Sequence, residues 1–292
     1  MSAHTGSTPA VAHEIRSLEI LKYPRTPHLE GSRLQPGDEE AGHIRLDSLR
    51  GQHAVVEEKL DGANVGISFT SAGELLLQSR GHYLVGGGRE RHFAPFKQWA
   101  AAHEARLLER LEDRYVMYGE WLYAKHSVSY DALPHWFCEF DIYDRVDGVF
   151  LSTPRRQALL AGSPIVSVPV LQAAAVPQSV KALRALVRPS MAKSARWREA
   201  FEESVARQGL DLALAWRQTD KSRLSEGLYI KVEDDMQVLG RAKWVRPDFV
   251  QTILDSGSHH STRPVIPNGL APGVDLYAPL PAVGWNDHDS DA

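Results

Sequence analysis

A chain of 292 residues with 43% apolar side chains can bury the core of one large domain, and its composition excludes a fibre, a fully disordered chain and a membrane protein. The formal net charge of −4 excludes indiscriminate nucleic-acid binding through bulk electrostatics, but leaves room for a local basic surface. Cys138 is the only cysteine, the N-terminus lacks the apolar core of a secretory signal, and no run approaches bilayer-spanning length; a cytoplasmic protein with no intrachain disulfide is expected.

Residues 1–14 read as a flexible leader, and "LKYPRTPHLEGSRLQPGDEE" as an ordered loop rich in proline, glycine and charge. Strand signals follow in "AVVEEK", "NVGISF" and "ELLLQS", with Ser71-Ala72-Gly73 as the hairpin turn between the last two. The stretch "APFKQWAAAHEARLLERLED" carries Phe96, Trp99, Ala102 and Leu107 at helical spacing, which predicts an amphipathic helix. Strands resume in "YVMYGEWLY" and "WFCEFDIYD", and "TPRRQALLAG" predicts a short helix with proline near its start and glycine at its end.

Residues 178–215 read as mostly helical. Within them Lys181, Arg184 and Arg188 fall on one face before Pro189, as a solvated face or as a phosphate-contacting one. "GLYIKVE" and "QVLGRAKWV" give a last pair of strands. After about residue 256 a loosely packed tail is expected. It holds His259-His260, and the thirteen histidines show no metal-ligand spacing. Strands, inserted helices, then strands again make an α+β domain of antiparallel sheets over 15–255, with a tail over 256–292.

The chemistry centres on "EEKLDGANVGISF", where Lys59 sits among Glu57, Glu58 and Asp61 and ahead of Gly62. Alone, this pattern reads as a surface turn, because Asp-Gly is a common hairpin dipeptide. Further elements follow in order, each on a strand or at a strand end. They are Glu120 in "YGEW", Phe140 in "FCEFDIYD", Glu226 and Lys231 in "EGLYIK", and Arg241, Lys243 and Arg246 in "RAKWVR".

Together with Lys59, these resemble motifs I, III, IIIa, IV and V of the covalent nucleotidyltransferases, the ATP-dependent ligases and mRNA-capping enzymes, over residues from about 55 to 247. The resemblance implies an ATP-grasp-like ligase adenylation domain of antiparallel sheets with flanking helices. It also implies ATP and Mg²⁺ (or Mn²⁺) as cofactors. Lys59 would attack the α-phosphate, and Glu226 would serve the metal, which takes few carboxylates and keeps waters.

Phe140 would stack on the base, Glu120 would accept from the ribose, and Lys243 and Arg241 would neutralise phosphate charge. Glu58, Asn64, Arg80 and Lys231 complete the implied nucleotide-binding set. A lysine amine has an ordinary pKa of about 10.4 and must lose its proton to attack, so Lys231, Lys243, Arg241 and Arg80 are expected to gather around Lys59 as a positive field. Glu57, Glu58 and Asp61 are then expected to point to different places, not all at the amine.

Among these enzymes the chain looks most like RNA ligases of the phage nick-sealing and bacterial types. DNA ligases and capping enzymes carry arginine five places after the lysine, where this chain has Asn64. Their C-terminal OB-fold of short strands has no counterpart in the strand signals beyond motif V, so no C-terminal OB-fold is expected. The first basic position of motif V is usually lysine and is Arg241 here, a fork in place of a point charge.

"KYPRTPHL" is similar to a segment upstream of the lysine in some bacterial RNA ligases. Lys22, Arg25 and His28 there are either phosphate contacts or parts of a structural loop. The implied substrate is RNA with 5′-phosphate and 3′-hydroxyl ends, with an end-healing kinase or phosphatase as companion. A minimal DNA ligase and a non-sealing protein that binds ATP and RNA ends are the alternatives.

Overall fold

The computed structural model describes residues 18–34, 42–250 and 263–285; the leader over 1–14 and the His259-His260 pair lie outside the described residues. Twelve strands form two sheets among the described residues. The first is built from β1 (His28–Leu29), β2 (His43–Ile44), β3 (His53–Lys59), β10 (Val170–Ala175), β11 (Gly227–Glu233) and β12 (Val238–Val245), in the order β10-β3-β11-β12-β1-β2. The second runs β5 (Leu75–Ser79), β4 (Ala63–Phe69), β6 (Tyr115–Trp121), β7 (Phe137–Asp144) and β8 (Val149–Phe150), with β9 (Val166–Ser167) on the side of β7. All the longer pairings are antiparallel, so the sequence reading of an α+β domain on antiparallel sheets holds.

Helices cover the outer face of each sheet. On the second sheet, α1 (Ala94–Ala102) and α2 (Glu104–Leu111) press Phe96, Trp99, Leu107 and Leu111 onto Val65, Ile67, Phe69, Met117 and Ile142. The sequence spacing predicts one helix here, and the structure divides it at His103, whose ring lies 3.1 Å from the Leu276 carbonyl. On the first sheet, Leu183 of the short helix α4 (Val180–Arg184) joins Ala54, Val56, Leu228, Ile230, Val232 and Trp244. The helix α3 (Thr153–Leu160) starts as its Thr-Pro signal predicts.

Two further expectations differ from the structure, and two strands lie where the sequence reading places no element. Residues 178–215 hold only α4, α5 (Trp197–Arg207) and α6 (Leu212–Arg217). The chain between α4 and α5 leaves the helical path where Pro189 bridges Leu224, so Arg188 lies outside α4 and does not share a helix face with Lys181 and Arg184. The proline-broken run "SPIVSVPVLQAAA" contains β9 and β10, whose pairing shifts register between Val170 and Gln172. Residues 263–285, expected to be loosely packed, include a stitched segment. Asn268 accepts from Tyr130 N–H (3.0 Å) and donates to the Leu122 carbonyl (2.7 Å), and Ile266 and Ala271 are buried.

The turn after β3 carries the chain from one sheet to the other, and this crossing fixes the site. Lys59 is the last residue of β3, opposite Gly227 of β11, and β4 begins at Ala63 beside β6. Gly62 is required between them: a Cβ there would stand 2.6 Å from the Trp121 carbonyl, and its N–H donates to Glu120 Oε1 (2.9 Å).

Candidate active site

The two sheets face each other across a cleft of about 410 Å³ lined from both sides. The first sheet contributes Lys59, Tyr229 and Lys243, and the second contributes Asn64, Arg80, Glu120 and Phe140. Register explains the gathering. Asn64 is paired with Glu120 across β4 and β6, and the chain enters β11 at Glu226 just beside Lys59.

Lys59 Nζ lies 2.9 Å from Glu226 Oε2. Burial by itself disfavours the ammonium, but the carboxylates of Glu226 and Glu120 outweigh it and hold the pKa above the usual lysine range. Burial pushes both acids up to about 7, opposed chiefly by Lys59. The amine therefore rests as a charged partner of two reluctant carboxylates.

Of the four cations expected around Lys59, Arg80 and Lys243 line the cleft, and Lys231 and Arg241 do not. Lys231 is fully buried beneath the cleft: it pairs with Glu57 (2.9 Å), donates to the Phe140 carbonyl, and does not line the cleft. Its side chain follows the two-residue period of β11 into the intersheet layer, where Glu57 also meets Arg156 (2.8 Å) and Arg156 meets Glu139 (2.6 Å). Arg241 likewise pairs with Asp141 (2.9 Å), lies 3.8 Å over the Phe150 ring, and is absent from the cleft lining. As direct nucleotide contacts, Lys231 and Arg241 are therefore corrected to supports beneath the site.

What they support is Phe140. The β6–β7 register slips by one residue at Tyr118/Gly119, so Phe140 is the extra residue of a bulge. The bulge frees its carbonyl to accept from Lys231 and leaves its ring half-buried at the cleft, with Tyr23 edge-on at 5.0 Å.

The acidic neighbours of Lys59 do point elsewhere. Glu57 enters the buried ion lattice just described. Glu58 turns to the opposite face, where its carboxylate accepts from Ser190 Oγ (2.5 Å) and Met191 N–H (3.1 Å), and burial lifts its pKa to about 7. Glu58 borders the cleft, but its carboxylate is not available to a nucleotide. Asp61 accepts from the N–H groups of Ser127 and Val128, both at 2.7 Å.

The outlying candidates separate in the same way. His28 is fully buried, with Nδ1 2.7 Å from Ser32 Oγ on a strand paired with β12, so it is a structural residue and not a phosphate contact. Lys22 and Arg25 are exposed on the same segment but do not line the cleft, and Lys181, Arg184 and Arg188 are exposed away from its lining.

Residues the sequence reading passed over include Tyr23, Thr26 and Tyr229. Their hydroxyls meet at 2.7 and 2.8 Å, and Tyr23 donates to Asp141 (2.7 Å). Period-two counting from Gly227 would have placed Tyr229 on the face that Lys59 shares. His126 also lines the cleft, with no sequence signal to mark it.

Among the described residues no group of three or more His, Cys, Asp or Glu is placed to hold a metal ion. No helix among them is long and apolar enough to cross a membrane.

Comparison with solved structures finds point mutants of the Naegleria gruberi RNA ligase. One, with AMP and Mn, is 17% identical with a TM-score of 0.50, over 81% of this chain and 59% of that one. Another, with ATP and Mn, is 17% identical with a TM-score of 0.48, over 80% and 58%. A third, without ligand, is 19% identical with a TM-score of 0.48, over 82% and 62%. The chain thus spans about three fifths of the length of the solved ligases it matches. Comparison with curated proteins gives no match. The family model of RNA ligases matches residues 52–245, from the start of β3 to the end of β12 and so across every strand that builds the cleft, and the chain belongs to the RNA ligase family.

Proposed function

We propose that the protein is an ATP-dependent RNA ligase that joins 5′-phosphate to 3′-hydroxyl RNA ends through a lysyl-AMP intermediate. The observation that carries this reading is the convergence of Lys59, Glu120, Phe140 and Lys243 on one cleft, from strands far apart in sequence, with Glu226 buried against Lys59. Lys59 Nζ gives up its proton to solvent and attacks the α-phosphate of ATP, and an N–P bond forms as the P–O bond to pyrophosphate breaks. AMP passes to the RNA 5′-phosphate, and the 3′-hydroxyl then attacks that end, releasing AMP. The protein supplies position and fixed charge for all three transfers.

Phe140 offers the base a ring face, and Asn64 and Glu120 lie side by side where a ribose would rest. Lys243 lines the cleft near enough to Glu226 to favour its carboxylate, and its charge suits a phosphate there.

A magnesium or manganese ion fits the donor set: Glu226 and Glu120 supply two carboxylates without a preformed cage, which suits an ion that completes its shell with water and phosphate. Bound with the triphosphate, such an ion supplies charge neutralisation.

Both acids must ionise to serve it, so Mn²⁺ affinity is expected to fall as pH drops below about 7. The fall approaches about tenfold per pH unit for each proton displaced, and titration at fixed ionic strength from pH 8 to 6 reads it. A flat profile contradicts the assignment.

The function is tested by incubating the protein with ATP, Mg²⁺ or Mn²⁺ and nicked substrates of RNA or DNA. Sealed RNA with AMP release is the expected result. Sealing of nicked DNA alone would make it a DNA ligase, and ATP binding with neither adenylate nor sealed product would make it an end-binding protein.

A further inference from the structure

Charge is unevenly distributed along this chain. Between residues 179 and 225, ten Lys and Arg stand against five Asp and Glu, a local excess of positive charge on a chain whose net charge is −4. Arg196, Arg198, Arg217, Lys221 and Arg223 are all exposed. The stretch from Asp220 to Ser225 is pinned in place: Ser190 N–H donates to the Arg223 carbonyl (2.9 Å), Lys193 to Ser222 (2.7 Å) and Arg198 to Lys221 (2.6 Å).

A groove of about 450 Å³ runs along that stretch, bordered by Trp216, Arg217 and Lys221. Its two carboxylates, Asp220 and Asp248, both bind Arg246, which offsets one of their two charges. Among the described residues no carboxylate pairs with the side chains of Arg217, Lys221 or Arg223. Trp216 packs edge-on against Phe201 (4.6 Å) and Trp197 (5.9 Å) and remains half-buried at the groove.

We propose that this groove, lined by Trp216, Arg217 and Lys221 with the exposed Arg223 two residues further along the same stretch, docks a single-stranded RNA segment whose end lies in the Lys59 cleft. The proposal rests on the ligase reading above. Exposed cations beside an aromatic ring in one groove suit the phosphates and unpaired bases of a single strand. The distance fits as well. Lys221 is five residues from Glu226, whose carboxylate touches Lys59, so the chain between them spans at most about 18 Å, the reach of a few nucleotides.

The test compares wild type with R217E/K221E/R223E and with the milder R217Q/K221Q/R223Q, using three readouts. These are covalent labelling by α-labelled ATP, anisotropy of a 5′-phosphorylated single-stranded RNA across a salt series, and competition by a blunt RNA duplex. Labelling needs no RNA and is expected to stay within about twofold in both variants. RNA binding is expected to weaken at least about tenfold in the charge-reversed protein, with the salt slope smaller by about 2 for three lost phosphate contacts.

Unchanged RNA affinity in a variant that still labels overturns the proposal. Should the charge-reversed protein lose labelling, the glutamine variant carries the same test, with the slope change as its signature. Competition by blunt duplex equal to that by single strand overturns the single-strand assignment. A wild type that binds RNA in this groove yet never labels leaves the docking surface standing and sinks the ligase reading.

Discussion

Lys231→Met is expected to lower the unfolding free energy by about 3–5 kcal/mol, because it removes one of the two cations that Glu57 pairs with, Arg156 being the other, and leaves the Phe140 carbonyl without its donor. Lys231 is fully buried between the sheets, so solvent cannot replace it. Denaturant unfolding reads the loss. The same variant should raise the KM for ATP, since the bulge that presents Phe140 loses its anchor, while ATP at saturation restores labelling of the folded fraction. If Lys231 instead touched the nucleotide, labelling would vanish at unchanged stability, and that pattern would contradict the structure.

Glu226→Gln is the second large effect. It removes the negative charge 2.9 Å from Lys59 Nζ while keeping the side chain's shape. The lysine pKa should fall toward its ordinary value, because Glu226 is the foremost of the carboxylates that raise it. Divalent-ion affinity should fall by at least about tenfold, since one of two carboxylates is gone. Label formation should therefore need far more Mn²⁺, and its remaining activity should show a lower pH midpoint. A glutamine variant with wild-type metal dependence would place the ion elsewhere.

Much of this site was legible in the chain because its residues sit on strands with strong β-branched patterns. Lys59, Glu120, Phe140, Glu226 and Lys243 each occupy a strand or strand end that alternation located, and the fold brings four of them to one cleft, with Glu226 against Lys59. Lys231 and Arg241 were misread for one reason. The motif pattern gives residue types, but the intersheet layer beneath the cleft also needs cations, to neutralise Glu57, Glu139 and Asp141. Nothing local distinguishes a lysine above that layer from one within it.

Tyr23 and Thr26 were hidden because a proline-rich loop has no period from which a facing side chain can be counted, and long-range hydroxyl contacts to Tyr229 place them. The division at His103 and the stitched residues after 263 depend on packing partners distant in sequence, Leu276 for one and Tyr130 and Leu122 for the other.

The chemistry turns on one amine. Incubation of the protein with α-labelled ATP and Mg²⁺ or Mn²⁺, followed by proteolysis and mass spectrometry, should place a single AMP on Lys59, and Lys59→Ala should carry none. AMP on another lysine, or a labelled Lys59→Ala protein, would contradict it.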